Sequence, residues 1–267
     1  MTSTVSPALE QRIARVLSAG VGLRGDGESP ASLKTDGVAG GTELIEPGGG
    51  AAGEGAEGGR GAEGVSTWIG LVAAWNARID LTAARNEDEL VDLMLADAVV
   101  LAAHLPQGKR VVDVGTGAGA PGLAVALLRQ DLALTLVEPL QKRVSFLRNT
   151  IGALLQSGAL KPGAGRAPFV ERGRGEEVAR RAPAFDVAIS RATLAPGRWL
   201  DMGAALTAGA AAPEVWVLLA REEPPALTGW EVAEDLRYRW PLTGVERRAV
   251  RYLRRAPAST PGATSEG

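Results

Sequence analysis

The 267-residue sequence contains no cysteine and one histidine, His104. Disulfides, cysteine metal ligands and thiol nucleophiles are therefore excluded, and a histidine-based metal site is not expected. No apolar run reaches the roughly 20 residues that a membrane-spanning helix needs, and the N-terminus lacks the basic-then-apolar pattern of a secretion signal. We therefore expect a soluble, cytoplasmic protein that binds neither a metal nor a membrane.

Aromatic residues are also scarce, at 4% of the chain, whereas glycine is abundant, with 35 residues. Fifteen of these glycines lie in residues 21–65, a segment without any aromatic residue. Such a segment buries too little apolar surface to offset the entropy of ordering it. We predict a disordered linker or insertion there, with a regulatory or interaction segment as the alternative, and a disordered tail at 256–267.

The rest of the sequence has the periodicity of helices and then of alternating strands and helices. Apolar spacing predicts an N-terminal helix within residues 1–20 and a helical region at 66–108. In residues 109–255, short apolar strands alternate with helices, beginning with a strand at 110–114 and a helix at 122–129. Because such alternation builds a parallel sheet with helices on both faces, we predict an α/β, Rossmann-like domain behind a small helical region.

Three side chains of the helical region are predicted to stabilise the fold and not to bind a ligand or act in catalysis. Trp68 and Trp75 lie two helical turns apart, and this spacing predicts a stripe that packs into the core. His104, at a helix end, is predicted to cap the helix and not to act in catalysis.

The first predicted strand runs directly into a glycine-rich turn, DVGTGAGAPG, at residues 113–122. Glycines at a strand-to-helix turn let the backbone approach a ligand closely, and the helix N-terminus beyond them favours polar or anionic groups. Glu138 ends the next strand, where a carboxylate can accept both ribose hydroxyls of a nucleoside. These features fit NAD and S-adenosylmethionine equally, and a turn that only packs a helix on a strand is the structural alternative. Asp113 favours S-adenosylmethionine, because its carboxylate would attract an amino-acid ammonium and repel a pyrophosphate.

Five segments, the glycine-rich turn among them, are informative together: WNARIDLTA at 75–83, DVGTGAGAPG at 113–122, LVEPLQKRVSFLRN at 136–149, GRGEE at 173–177 and FDVAISRA at 185–192. In order and spacing they resemble the bacterial ribosomal RNA small subunit methyltransferase G family, also called glucose-inhibited division protein B. The resemblance covers about residues 68–255. It implies a Rossmann-like methyltransferase domain, S-adenosylmethionine as the cofactor, and N7 of a guanine in 16S rRNA of the small ribosomal subunit as the target. We expect a monomer.

The resemblance and the glycine turn together predict the residues of the site. Arg191, in the SRA segment, corresponds to the family's arginine after the fourth strand, close to cofactor and substrate. We predict a catalytic role for it, with a surface salt bridge as the alternative. Gly175 and Glu176 correspond to the pair beside the adenine. The complete predicted cofactor set is Asp113, Gly115, Gly117, Ala120, Glu138, Gly175, Glu176 and Arg191.

A net charge of −2 excludes a polycation that packages nucleic acid, but a local basic segment remains. Residues 237–255 hold seven arginines and one glutamate, with three aromatic residues between them, in a segment that also suits edge strands. The arginines are predicted to contact rRNA phosphates, whereas the aromatics fit base stacking and core packing equally well. The predicted RNA contacts are Lys142, Arg143, Arg148, Arg248 and Arg251.

The chain departs from the family pattern at four places. Ala120 replaces a large apolar residue, Asp80 an asparagine and Met94 a histidine, and Arg221-Glu222 follows the fifth strand where Lys-Gly is usual. Guanine N7 attacks with a lone pair and has no proton to lose, so the chemistry needs positioning and no general base. Two other functions stay open: a catalytically weakened homologue that binds RNA or the ribosome, and a nicotinamide-dependent oxidoreductase.

Overall fold

The computed structural model describes residues 5–21, 54–162, 166–181 and 185–255. Most of the predicted insertion, residues 22–53, and the predicted tail at 256–267 lie outside this part of the chain. Within the described ranges, no helix is both long and apolar enough to cross a membrane. The same ranges contain no group of three or more His, Asp or Glu side chains arranged to hold a metal ion.

The described residues form helices and a seven-stranded sheet. The helices are α1 (Pro7–Val21), α2 (Glu54–Ile79), α3 (Glu87–Val91), α4 (Asp97–His104), α5 (Gly122–Leu128), α6 (Gln141–Gln156), α7 (Gly175–Arg180) and α8 (Pro196–Leu206). A π-helical turn, Asp92–Ala96, joins α3 to α4. The strands are β1 (Arg110–Val114), β2 (Ala133–Glu138), β3 (Phe169–Arg172), β4 (Val187–Arg191), β5 (Glu214–Leu219), β6 (Trp230–Arg239) and β7 (Glu246–Arg254).

The strand order in the sheet is β3-β2-β1-β4-β5-β7-β6. The first five strands are parallel, and β6 and β7 form an antiparallel hairpin at the β5 edge. The prediction of an α/β, Rossmann-like fold is confirmed. The chain winds outward in opposite directions from β1 and β4, so the two strands flank the switch point where such sheets bind ligands at their carboxyl ends.

Apolar side chains cover both faces of the sheet, as a buried parallel sheet requires. On one face, Val111 and Leu136 pack with α1, α2, α4, α5 and α6. On the other face, Val112 and Val114 pack with α7 and α8. Both layers hold the strands rigidly, so groups at the strand ends have fixed positions.

The predicted insertion is wrong for residues 54–65, which form the first half of α2. Glycine lowers helix propensity, and for this reason the composition suggested disorder. Here the missing side chains allow close packing: a Cβ on Gly61 would stand 2.9 Å from the carbonyl oxygen of Leu127, and one on Gly64 would stand 2.7 Å from its Cδ2. Val65, directly after Gly64, is fully buried, so tertiary packing against α5 outweighs the low propensity.

Two buried aspartates attach the β6–β7 hairpin to the helical region. Asp92, in the π-helical turn, accepts hydrogen bonds from the amide and hydroxyl of Thr243 at 2.8 and 2.7 Å. Asp97, the first residue of α4, accepts from the Tyr238 hydroxyl at 2.8 Å and from the Trp240 indole at 2.7 Å. Burial and the Asp97 carboxylate hold the pKa of Tyr238 well above its ordinary value. The aromatics of the hairpin therefore belong to the core: Tyr238, Trp240 and Tyr252.

The predicted core stripe on α2 is right for one tryptophan and wrong for the other. Trp68 is fully buried, whereas Trp75 is 39% exposed and lies beside Phe146 at 6.3 Å between ring centroids. Residues 73–78 of α2 are exposed or only partly buried, so Trp75 lies on a stretch of the helix that packs less closely than the stretch around Trp68. His104, predicted to cap α4, pairs instead with Glu234 of β6 at 2.8 Å.

Candidate active site

The turn after β1 consists of backbone that glycine adopts most easily. Gly115, Gly117 and Gly119 have φ values of +73°, +61° and +111°, in the left-handed region. Glu138, at the end of β2, holds the turn: Oε2 accepts from the Gly117 amide at 3.0 Å and Oε1 from the Leu140 amide at 2.8 Å. Each carboxylate oxygen keeps capacity for a further hydrogen bond. Glu138 is itself buried, at 2% exposure, and does not line the cavity beside the turn, so its ribose contact stays a prediction.

Asp113 has a different position from the one predicted for an ammonium-binding carboxylate. It is completely buried beneath the turn, and Oδ2 accepts a hydrogen bond from the Gly122 amide, the first residue of α5, at 2.8 Å. Burial raises the pKa of Asp113 to about 6, while the Thr116 hydroxyl and the Gly122 amide oppose this rise. Asp113 thus anchors the turn from below, and the predicted direct ligand contact is wrong because no surface of it is accessible.

A cavity of about 180 Å³, here called the glycine cavity, lies beside the turn. Three predicted cofactor residues line it together, namely Gly115, Gly175 and Glu176. Ala120 is buried in the core and is not among the residues that line this cavity, so its cofactor contact stays a prediction. The remaining lining residues come from the ends of β1, β2 and β3 and from the segment after β4: Val114, Pro139, Gly173, Arg174, Thr193, Leu194 and Met202.

A second cavity of about 200 Å³, the strand-end cavity, lies at the carboxyl ends of β4 and β5. Arg191, the last residue of β4, lines it. Its Nη1 donates to Asp97 Oδ2 at 3.2 Å and to the carbonyl oxygen of Leu93 in the π-helical turn. Arg191 is therefore both a partner in a buried salt bridge and part of a cavity wall, so the two interpretations of this residue are compatible.

The two cavities share part of their lining, in the segment that follows Arg191. Thr193 and Leu194 line both the glycine cavity and the strand-end cavity. The Thr193 hydroxyl donates to the carbonyl oxygen of Val114 at 3.0 Å, and the preceding Ala192 has a φ of +53°, which is uncommon for a residue other than glycine. This strained backbone directs the chain across the end of β1. These shared lining residues were not predicted from the sequence, although they follow the SRA segment directly.

The strand-end cavity also receives residues from the loop after β5 and from the hairpin. Glu222 follows β5, and its Oε2 accepts from the amides of Ala220 and Arg221 at 3.0 Å each. The Arg247 guanidinium lies 4.0 Å from the centroid of the Trp240 ring, a cation–π contact. These residues come from distant parts of the chain, so only the departure from Lys-Gly at Glu222 could have drawn attention to them.

The predicted RNA contacts at Arg248 and Arg251 need correction, because both guanidinium groups are already paired. Arg248 bonds to Asp235 at 2.6 Å and to Glu223 at 3.0 Å. Arg251 bridges Glu214 at 2.9 Å and Glu234 at 2.6 Å. Their side chains are only 13% and 21% exposed. These ion pairs stabilise the hairpin, and phosphate would have to displace carboxylates to reach them.

The three basic residues predicted on α6 remain accessible to different degrees. Lys142 and Arg148 are exposed, and Arg143 is half-buried. Arg143 donates to the carbonyl oxygen of Asp80, and Arg148 to that of Val170, each at 3.1 Å. A carbonyl contact occupies one side of a guanidinium without neutralising its charge, so both arginines keep donors for a phosphate.

The fold and the cavities at its strand ends define a Rossmann-like α/β protein with ligand-sized spaces at the carboxyl edge of the sheet. Residues 62–198, slightly more than half of the chain, match the family model described as rRNA small subunit methyltransferase G. The chain belongs to this family, as the sequence motifs indicated.

Two relatives carry the name ribosomal RNA small subunit methyltransferase G. The one from Methylobacillus flagellatus is 39% identical over 125 residues, 47% of this chain and 56% of the relative. The one from Clostridium botulinum is 36% identical over 124 residues, 46% of this chain and 49% of the relative. The chain thus spans about half the length of the curated relatives it matches.

The solved structures that resemble this chain have lower sequence identity to it than these relatives. The putative methyltransferase yhhF from Escherichia coli has a TM-score of 0.44 and 16% identity, covering 59% of this chain and 83% of that one. TrmN from Thermus thermophilus has a TM-score of 0.42 and 18% identity, covering 62% of this chain and 48% of that one.

Proposed function

We propose that this protein is an S-adenosylmethionine-dependent methyltransferase that modifies N7 of a guanine in 16S rRNA of the small ribosomal subunit. The observation that carries the proposal is the pair of cavities at the carboxyl edge of the sheet, which share Thr193 and Leu194 in their linings. Two reactants held in cavities that share these residues would be neighbours. Family membership supplies the class of substrate.

The glycine cavity suits the cofactor because backbone and not side chains forms its turn side. A Cβ added to Gly117 would have the Gly115 carbonyl oxygen, at 3.9 Å, as its nearest neighbour in the described structure. The space over the turn is therefore open. The residues that would hold S-adenosylmethionine are Gly115, Gly117, Glu138, Gly175 and Glu176. When bound, the cofactor supplies a methyl group on a sulfonium.

The strand-end cavity would receive the target base. Guanine N7 needs no deprotonation, so the contribution of the protein is to fix the base and exclude water. Arg191 suits this task because Asp97 and the Leu93 carbonyl fix one side of its guanidinium. Its remaining N–H donors would hydrogen-bond guanine O6. A fixed donor orients the base before reaction without further loss of entropy.

The RNA backbone would run over α6. Lys142, Arg143 and Arg148 supply positive charge there, with two of the three side chains fixed by carbonyl oxygens. Phosphate contacts of this kind position a nucleic acid without reading its sequence. We therefore assign the α6 residues to positioning and the strand-end cavity to recognition of the base.

The direct test is methylation of purified small subunits and of deproteinised 16S rRNA with labelled S-adenosylmethionine. Borohydride reduction and aniline cleavage then map N7-methylguanine. We expect a single modified guanine, and absence of label from both RNAs would reject the proposal.

The role of Arg191 is tested by the R191K variant. Lysine keeps the charge but loses the fixed planar fork, so we expect kcat/KM to fall about 100-fold. The control is R110K, which changes an arginine paired with Asp186 at the opposite end of the sheet and should leave kcat/KM unchanged. Full activity of R191K would contradict the assignment.

A further inference from the structure

The strand-end cavity contains two carboxylates with different surroundings. Asp97 is saturated, because Tyr238, Trp240 and Arg191 all donate to it. Glu222 uses Oε2 for two backbone amides, whereas Oε1 accepts no hydrogen bond within the described part of the chain. Glu222 is therefore the carboxylate in this cavity that retains an acceptor for a ligand.

The loop after β5 fixes Glu222 in its ionised form. The amides of Ala220, Arg221 and Glu222 itself hold the pKa of the Glu222 carboxyl below its usual value. Because these donors are backbone groups three or fewer residues after the end of β5, they also orient the carboxylate. An oriented, charged acceptor at the rim of a cavity recognises a ligand that presents N–H donors.

A planar cation stands near this acceptor. Arg247 lines the same cavity and is held against the face of Trp240 at 4.0 Å. A guanidinium plane that is fixed in this way offers a stacking surface for a nucleobase. The cavity thus combines a stacking group, a hydrogen-bond acceptor and the donor Arg191.

Guanine fits this set of groups better than any other RNA base. Its Watson–Crick edge carries two adjacent donors, N1–H and N2–H, which would fill the two acceptor sites of Glu222 Oε1. Adenine carries an acceptor at N1 and would meet the carboxylate with a lone pair. N7 and O6 lie on the other edge of guanine, which would then face Arg191 and the Thr193–Leu194 wall.

We propose that Glu222 is the residue that selects guanine, by accepting hydrogen bonds from N1–H and N2–H of the target base. This inference rests on the proposed function for the identity of the substrate. It assigns a purpose to the position where this chain departs from the Lys-Gly pattern of the family.

The test compares small subunits reconstituted with 16S rRNA that carries either guanosine or inosine at the methylated position. Inosine keeps N7, O6 and N1–H but lacks the 2-amino group. We expect the wild-type protein to prefer guanosine about 10-fold in kcat/KM, because one charge-assisted hydrogen bond is lost with inosine. In E222A, kcat/KM on guanosine should fall about 10- to 100-fold, and the preference should fall to about 1.

The matched control is E223A. Glu223 is the adjacent carboxylate, pairs with Arg248 and is not among the residues lining the strand-end cavity. E223A should keep the wild-type preference. An E222A protein that methylates with the wild-type preference overturns the inference and leaves the proposed function intact.

If no methylation is detected, nucleotide binding still distinguishes the role proposed for Glu222 from the proposed methylation reaction. Equilibrium binding of guanosine and inosine 5′-monophosphates to the wild type and E222A is then measured by quenching of tryptophan fluorescence. A preference for the guanosine nucleotide that disappears in E222A supports the role of Glu222 and rejects only the proposed reaction. Equal binding of the two nucleotides to the wild type overturns the inference.

Discussion

The indole Nε1 of Trp68 donates a buried hydrogen bond of 2.9 Å to the carbonyl oxygen of Ala118. Trp68 belongs to α2, and Ala118 lies in the glycine-rich turn after β1. The helical region in front of the sheet therefore holds the loop on which the proposed cofactor site depends. This contact gives α2 a function beyond covering one face of the sheet.

Replacing Trp68 by phenylalanine should weaken cofactor binding as well as stability. W68F leaves the Ala118 carbonyl without its buried donor and opens a small cavity, so the free energy of unfolding should fall by about 2 kcal/mol. Because the turn loses a support, we expect the Kd for S-adenosylmethionine, measured calorimetrically, to rise about 5-fold.

The control for this experiment is W216F. Trp216 is equally buried, and its indole donates at 2.6 Å to Glu214, the first residue of β5, at the opposite end of the strands from the turn. W216F should lose similar stability without any change in Kd. If both variants change cofactor affinity equally, the effect comes from general loosening, and Trp68 has no specific role.

The sequence was sufficient to predict the central part of the fold, because the information there is local. The predicted strand at 110–114 coincides with β1, and the turn that follows lies at the switch point. Apolar runs bounded by glycine or by a terminal carboxylate such as Glu138 mark buried parallel strands clearly. The alternation of these strands with helices then leaves few possible topologies.

Side-chain roles were less predictable, because they depend on contacts between distant residues. The sequence around Asp113 is compatible with contact to a ligand and with contact to a helix N-terminus. Only its burial in the folded protein distinguishes these two roles. Asp97 meets Tyr238 and Trp240 more than 140 residues later, a pairing that no periodicity reveals. The arginines of the hairpin suggested phosphate binding by composition alone, yet carboxylates on β6 occupy Arg248 and Arg251.

Burial of Asp113 should make stability depend on pH. Its pKa is about 6 in the folded protein, against 3.8 as the ordinary value. For a group whose pKa is raised on folding, the stabilisation is present below the unfolded pKa and is lost as pH rises through the folded pKa. About two pKa units correspond to about 3 kcal/mol lost between pH 4 and pH 7.

The variant D113N isolates this contribution. Asparagine keeps an oxygen for the Gly122 amide but cannot ionise. Between pH 4 and pH 7 the wild type should therefore lose about 3 kcal/mol of unfolding free energy relative to D113N. Denaturant unfolding at successive pH values measures the difference. D186N is the control: Arg110 lowers the pKa of Asp186 below its ordinary value of 3.8, so the difference in unfolding free energy between D186N and wild type should stay nearly constant between pH 4 and pH 7. A difference for D113N that does not vary with pH would show that Asp113 ionises freely.

Gly117 provides the sharpest test of where the cofactor approaches the turn. Its φ is +61°, so G117A should cost about 1–2 kcal/mol of stability from backbone strain alone. Its Cβ would enter the open space over the turn, and we expect the Kd for S-adenosylmethionine to rise at least about 10-fold by steric exclusion. G108A is the matched control, because Gly108 has a φ of +67° and, in the described structure, no heavy atom within 4 Å of an added Cβ. Both variants carry the same strain, yet only G117A should lose affinity; equal affinity in the two variants would mean that the cofactor does not contact this side of the turn.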